Sequence, residues 1–78
     1  MTLPISKTSL RNRFAHNLRS LRTLQGISQE RLAELAGFHR TYVSQVERGV
    51  TNVSIDNIEK LAKTLNVDAA EMLKSVPR

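Results

Sequence analysis

The sequence predicts an all-α fold of five short helices, and three observations carry that prediction. Apolar residues recur at three- and four-residue steps through most of the chain. No segment alternates apolar and polar residues as a strand does, and helix-starting and helix-stopping residues stand at the ends of each periodic run. At 78 residues there is room for one domain, expected over residues 9–76 behind a flexible arm over residues 1–8. A chain this short buries a smaller share of its surface than a longer one, so marginal stability as a monomer is expected.

Leu10, Phe14, Leu18, Leu21 and Leu24 mark one face of the first helix. Thr8 or Ser9 can cap its start, and Gly26 can take the left-handed conformation that ends it. Asn17 projects into this apolar arc and needs a hydrogen-bond partner that the sequence does not name. Ser28 is the N-cap candidate of a second helix with Leu32, Leu35 and Ala36 inward, ending at Gly37. A third follows almost at once, with Val43 and Val46 inward and Gly49 at its end. After the polar loop 50–53, Ser54 can cap a fourth helix whose Ile55, Ile58, Leu61, Ala62 and Leu65 face one way. Asp68 and Glu71 resemble a capping box with Asp in the Ser or Thr position, so a fifth short helix is expected before Pro77.

Composition narrows the function. The chain has no cysteine, which removes disulfides, thiolate catalysis and thiolate metal sites together and fits a reducing compartment. Its start lacks the apolar run of a signal peptide, and no stretch approaches the roughly 20 apolar residues that span a bilayer. A soluble, cytoplasmic protein without membrane partners is expected. The formal charge of +5 is unevenly placed: residues 1–29 hold Lys7, Arg11, Arg13, Arg19 and Arg22 with no acid, while basic and acidic groups balance over 30–48 and again over 49–78. This suits attraction to a polyanion, the plainer alternative being a solvated, Arg-rich helix face. His16 and His39 stand far apart without companion carboxylates, and there is no Gly-rich phosphate loop or plausible triad. Neither an enzyme nor a metal or other cofactor is expected.

The stretch SQERLAELAGFHRTYVSQVERG is the informative one. A helix-turn-helix needs small residues where its helices approach, a turn residue that tolerates unusual backbone angles, and apolar positions that hold the second helix on the first. Leu32, Ala33, Ala36, Gly37, Phe38, Val43 and Val46 meet those needs, although an ordinary helical hairpin also uses a Gly turn. The run ISQERLAELAGFHRTYVSQVERG resembles the DNA-binding core of the lambda repressor/Cro-like (XRE) family, over about residues 10–75. More narrowly, HRTYVSQVERG with TNVSIDNIEKLAKTL resembles the controller proteins of restriction–modification systems.

The resemblance implies a five-helix lambda-repressor-like domain acting as a dimeric transcription regulator on double-stranded operator DNA of partial two-fold symmetry. In that fold the second helix of the motif enters the major groove, so Arg40, Thr41, Ser44 and Gln45 are the base-reading candidates. Arg can pair with guanine and Gln with adenine, but Arg40 could instead hold a phosphate and Gln45 lies far along the helix. Gln29, Tyr42, Arg48, Thr51 and Asn52 match positions that grip the DNA backbone. Tyr42 could alternatively pack beneath the helix with its hydroxyl in water. His39 departs from the usual Ser, Asp or Thr; imidazole is a poorer cap, and in its cationic form it could add a phosphate contact.

The family also implies an ion pair between Arg22 and Glu47, and acidic residues at Glu30 and Glu34 that touch RNA polymerase in activating members. A helix start that simply favours acids explains the last two as well. Leu65, Val67, Met72, Leu73 and Val76 exceed what two short helices need, so part of that set is expected at a homodimer interface, the alternative being the monomer core. With DNA as partner the protein would be nucleoid-associated and is expected to regulate its own promoter in the controller manner; with no second domain, no small-molecule effector is expected. A toxin-binding antitoxin that regulates its own operon is the competing function.

Overall fold

The computed structural model describes residues 9–76, and these form α1 Leu10–Leu24, α2 Gln29–Ala36, α3 Arg40–Glu47, α4 Ile55–Thr64 and α5 Ala69–Met72. The arm expected over 1–8 lies outside the described residues. Four helices start on a capping side chain: Ser9 accepts from the N–H of Asn12, Ser28 from Arg31, Ser54 from Asn57 and Asp68 from Ala70. Each such cap stabilises its helix by about 1 kcal/mol relative to alanine. α3 is the exception, since His39 occupies its cap position and makes no side-chain cap bond. The capping box expected at α5 is only half formed. Asp68 caps, but the Glu71 carboxylate turns to Lys74 at 2.9 Å.

The first four helices end alike. A left-handed residue stands beyond each, Gly26, Gly37, Gly49 or Asn66. The apolar residue that follows donates its N–H to the carbonyl five positions back: Ile27 to Arg22, Phe38 to Ala33, Val50 to Gln45 and Val67 to Ala62. This closure satisfies carbonyls that the helix end leaves without partners, and asparagine substitutes because it tolerates the left-handed region better than other non-glycine residues.

The core joins all five helices through Phe14 and Leu18, Leu32 and Ala33, Val43 and Val46, Leu61, Ala62 and Leu65, and Met72. Polar side chains of α1 and of Gln25 just beyond it close its far side. Asn17 finds its partners there, donating to the carbonyls of Met72 and Lys74 at 2.9 Å each, while Arg13 donates to Leu73 and Gln25 to Leu65. The carbonyls at the ends of α4 and α5 are thereby satisfied.

Several expected core positions face outward. Leu10 and Leu24 are 58% and 81% exposed because they sit at the ends of a helix of about 22 Å, against the shorter α3 of about 12 Å and α5 of about 6 Å. Leu35 is exposed, and Ala33 is buried in its place. The small Ala33 and Ala36 lie on one side of Leu32 and let α3 approach there, which leaves Leu35 on the other side. Ile55, the first residue of α4, precedes the turn that reaches the core and is exposed. Conversely, Leu65 and Met72 are 1% and 0% exposed within the single chain. Their assignment to a dimer interface is corrected: α5 folds back across α1 and α4, and both side chains close the protomer core.

Candidate nucleic-acid interface

The α2–α3 unit turns at Gly37, whose φ of +80° and C-terminal position allow the chain to reverse within three residues. Phe38 packs in the turn, with the Tyr42 ring 4.9 Å away and tilted by 48°. Val43 and Val46 then fix α3 to the core from within. At about 100° per residue, Arg40, Thr41, Ser44, Gln45 and Arg48 share one arc of about 140°, while Tyr42, Val43, Val46 and Glu47 share the opposite one. Arg40, Thr41 and Arg48 are exposed, and Ser44 and Gln45 are half-buried. Among the described residues none of these five makes a side-chain hydrogen bond inside the protein.

The inward arc explains how a carboxylate is accommodated on α3. Glu47 accepts from Arg22 through Nε at 2.6 Å and Nη2 at 3.0 Å, and from Gln29 Nε2 at 3.0 Å. Its side chain is 2% exposed and that of Arg22 is 11% exposed. The remaining Nη1 of Arg22 donates to the Ile27 carbonyl at 2.7 Å. One network therefore ties the end of α1, the start of α2 and the end of α3. It sets the angle at which the polar arc is presented.

The backbone-gripping candidates divide. Gln29 is half-buried with one amide N–H on Glu47, which leaves its second N–H for an outside acceptor. Tyr42 is half-buried, and its hydroxyl accepts from Asn57 Nδ2 at 2.9 Å. Its own proton is thus available to an acceptor. Asn52 is exposed and its Oδ1 accepts from Arg11 Nη2, while Thr51 is half-buried beside it. Glu30 and Glu34 are both exposed on α2, and Glu34 pairs with Arg31 one turn away.

A family model described as Helix-turn-helix matches residues 18–72, more than half of the chain. The chain belongs to the XRE-type helix-turn-helix family. It is a helix-turn-helix transcriptional regulator close to the restriction–modification controller proteins, within a family that binds DNA. Control protein C.SmaI of Serratia marcescens is 46% identical over 59 residues, covering 76% of this chain and 70% of that one. The hypothetical transcription factor NHTF from Neisseria superposes with a TM-score of 0.84 at 44% identity, covering 95% of this chain and 88% of that one. The restriction–modification controller protein C.AhdI from Aeromonas hydrophila gives a TM-score of 0.76 at 51% identity over 78% of this chain and 88% of its own.

For this helix-turn-helix regulator, pairings between distant side chains escape a reading of the sequence. Arg11 meets Asn52 across 41 positions and Asn57 meets Tyr42 across 15, with no local pattern announcing either. Of the N-terminal basic residues, Arg13 and Arg22 are committed to internal partners, whereas Arg11 and Arg19 are exposed. Among the described residues no helix is long and apolar enough to cross a membrane, and no group of three or more metal-ligating side chains is present.

Proposed function

We propose that this protein is a sequence-specific operator-binding regulator that acts as a homodimer on two half-sites and, as a restriction–modification controller, regulates its own promoter. The observation that carries the reading is the polar arc of α3, with Arg40, Thr41, Ser44 and Gln45 lacking described internal partners on a helix whose other side is locked by Val43, Val46 and Glu47. Arg40 and Thr41, at the start of α3, enter the major groove first, and Ser44 and Gln45 follow one turn behind. Gln29, Tyr42, Arg48, Thr51 and Asn52 hold phosphates around them.

The dimer face includes the half-buried Val67, Leu73 and Val76 and gains Ile55, which is 83% exposed. Two copies of α3 would lie about 34 Å apart on one face of the duplex. Glu30 and Glu34 offer an acidic edge to RNA polymerase, with Glu30 the more open of the two because Glu34 pairs with Arg31. Kinship in sequence to C.SmaI and in structure to C.AhdI supports the controller reading.

Footprinting of the DNA upstream of the protein's own gene, over a concentration series, tests this. Two adjacent sites filled in succession are expected; absence of specific protection contradicts operator binding. Sedimentation showing only a 9 kDa species at micromolar concentration would contradict the dimer.

A further inference from the structure

We propose that Arg11 and Asn52 together form an additional clamp for a DNA backbone phosphate, extending the binding surface from the loop after α3 onto the first turn of α1. The inference rests on the DNA reading above. Arg11 stands where helix stability disfavours it, because the first turn of α1 contains no acid and a cation opposes the positive end of the helix dipole. Arg13, two positions on, is turned inward onto the Leu73 carbonyl. Arg11 instead remains exposed, with Nη2 on Asn52 Oδ1.

That contact determines what the pair can bind. Arginine carries no acceptor, so the amide atom facing it must be the oxygen, and Asn52 is left with the two N–H groups of Nδ2. The remaining N–H groups of Arg11 are donors as well. Such a donor-only pair fits a ligand that only accepts, as a phosphodiester does. Two features hold the pair in place. Arg11 lines an apolar recess with Phe14, Val53 and Ile58. Gly49 brings the loop close to α1, since a Cβ there would come within 2.4 Å of Asn12 Oδ1.

The test measures affinity by fluorescence anisotropy for two duplexes of equal length, one carrying the protected upstream site and one of scrambled sequence, across roughly 50 to 200 mM salt. Arg11→Ala should weaken binding to both duplexes alike and reduce the slope of log affinity against log salt by about 0.9 per protomer contact. Arg11→Lys should retain the slope. Lys63→Ala, an equal loss of charge at the far end of α4, should leave it unchanged. An Arg11→Ala slope equal to that of Lys63→Ala, with the variant folded by circular dichroism, would overturn the clamp. Absence of salt-dependent binding by the unsubstituted protein would instead overturn the DNA reading itself.

Discussion

At its C-terminal end α3 is held by Glu47, which accepts three hydrogen bonds from Arg22 and Gln29. At its N-terminal end the same helix begins on His39 without a side-chain cap, and Arg40 and Thr41 face outward. A binding helix needs both conditions. Its direction must be fixed from behind, while the groups that meet a partner must not be satisfied in advance. Ser9, Ser28, Ser54 and Asp68 cap the other four helices and satisfy N–H groups internally. On α3 that work is left undone at the end expected to meet DNA.

The contrast breaks most visibly at Glu47. Glu47→Ala strands the guanidinium of Arg22, 11% exposed, and the loss is expected to be about 3–5 kcal/mol. For a domain of this size that lowers the melting temperature by about 12 °C or more. Arg22→Ala should be similarly damaging and Arg19→Ala, on an exposed residue, nearly silent. Equal melting temperatures for the two arginine variants would remove the network from its role.

A smaller effect separates the two glycines that flank α3. Gly37→Ala and Gly49→Ala both place a side chain at positive φ, a strain of about 1 kcal/mol. A Cβ at Gly37 meets nothing within 4 Å, whereas at Gly49 it crowds Asn12 Oδ1. Thermal unfolding should therefore show Gly49→Ala as the less stable variant. If the two prove equal, Asn12 swings aside at no cost and the loop is not held against α1.

The smallest expected change is a gain. His39→Ser supplies the missing cap and should stabilise the protein by about 1 kcal/mol or somewhat less. An unchanged melting temperature would mean that the start of α3 is already satisfied in solution.

The helix pattern was legible because caps and stops are local. Serine before α1, α2 and α4, and glycine followed by an apolar residue after α1, α2 and α3, each act on backbone groups within five positions. Burial was less legible where it depended on the length and direction of a neighbour, as at Leu10, Leu24, Leu35 and Ile55. Leu65 and Met72 looked surplus because periodicity does not reveal that α5 folds back over the open end of the core. The site divides in the same way. The outward polar arc of α3 follows from helical spacing, while Arg11–Asn52 and Tyr42–Asn57 depend on loops that bring distant residues together.

Competition binding of the unsubstituted protein and Arg40→Ala to the protected upstream site, against scrambled DNA at one salt concentration, probes the outward end of α3 most directly. Arg40 has no described internal partner, so its loss should leave the melting temperature nearly unchanged. It should reduce the preference for the upstream site about tenfold, the scale of one bidentate base contact, with little change in affinity for scrambled DNA. An unchanged preference, or equal weakening on both duplexes, would contradict base reading by the start of α3.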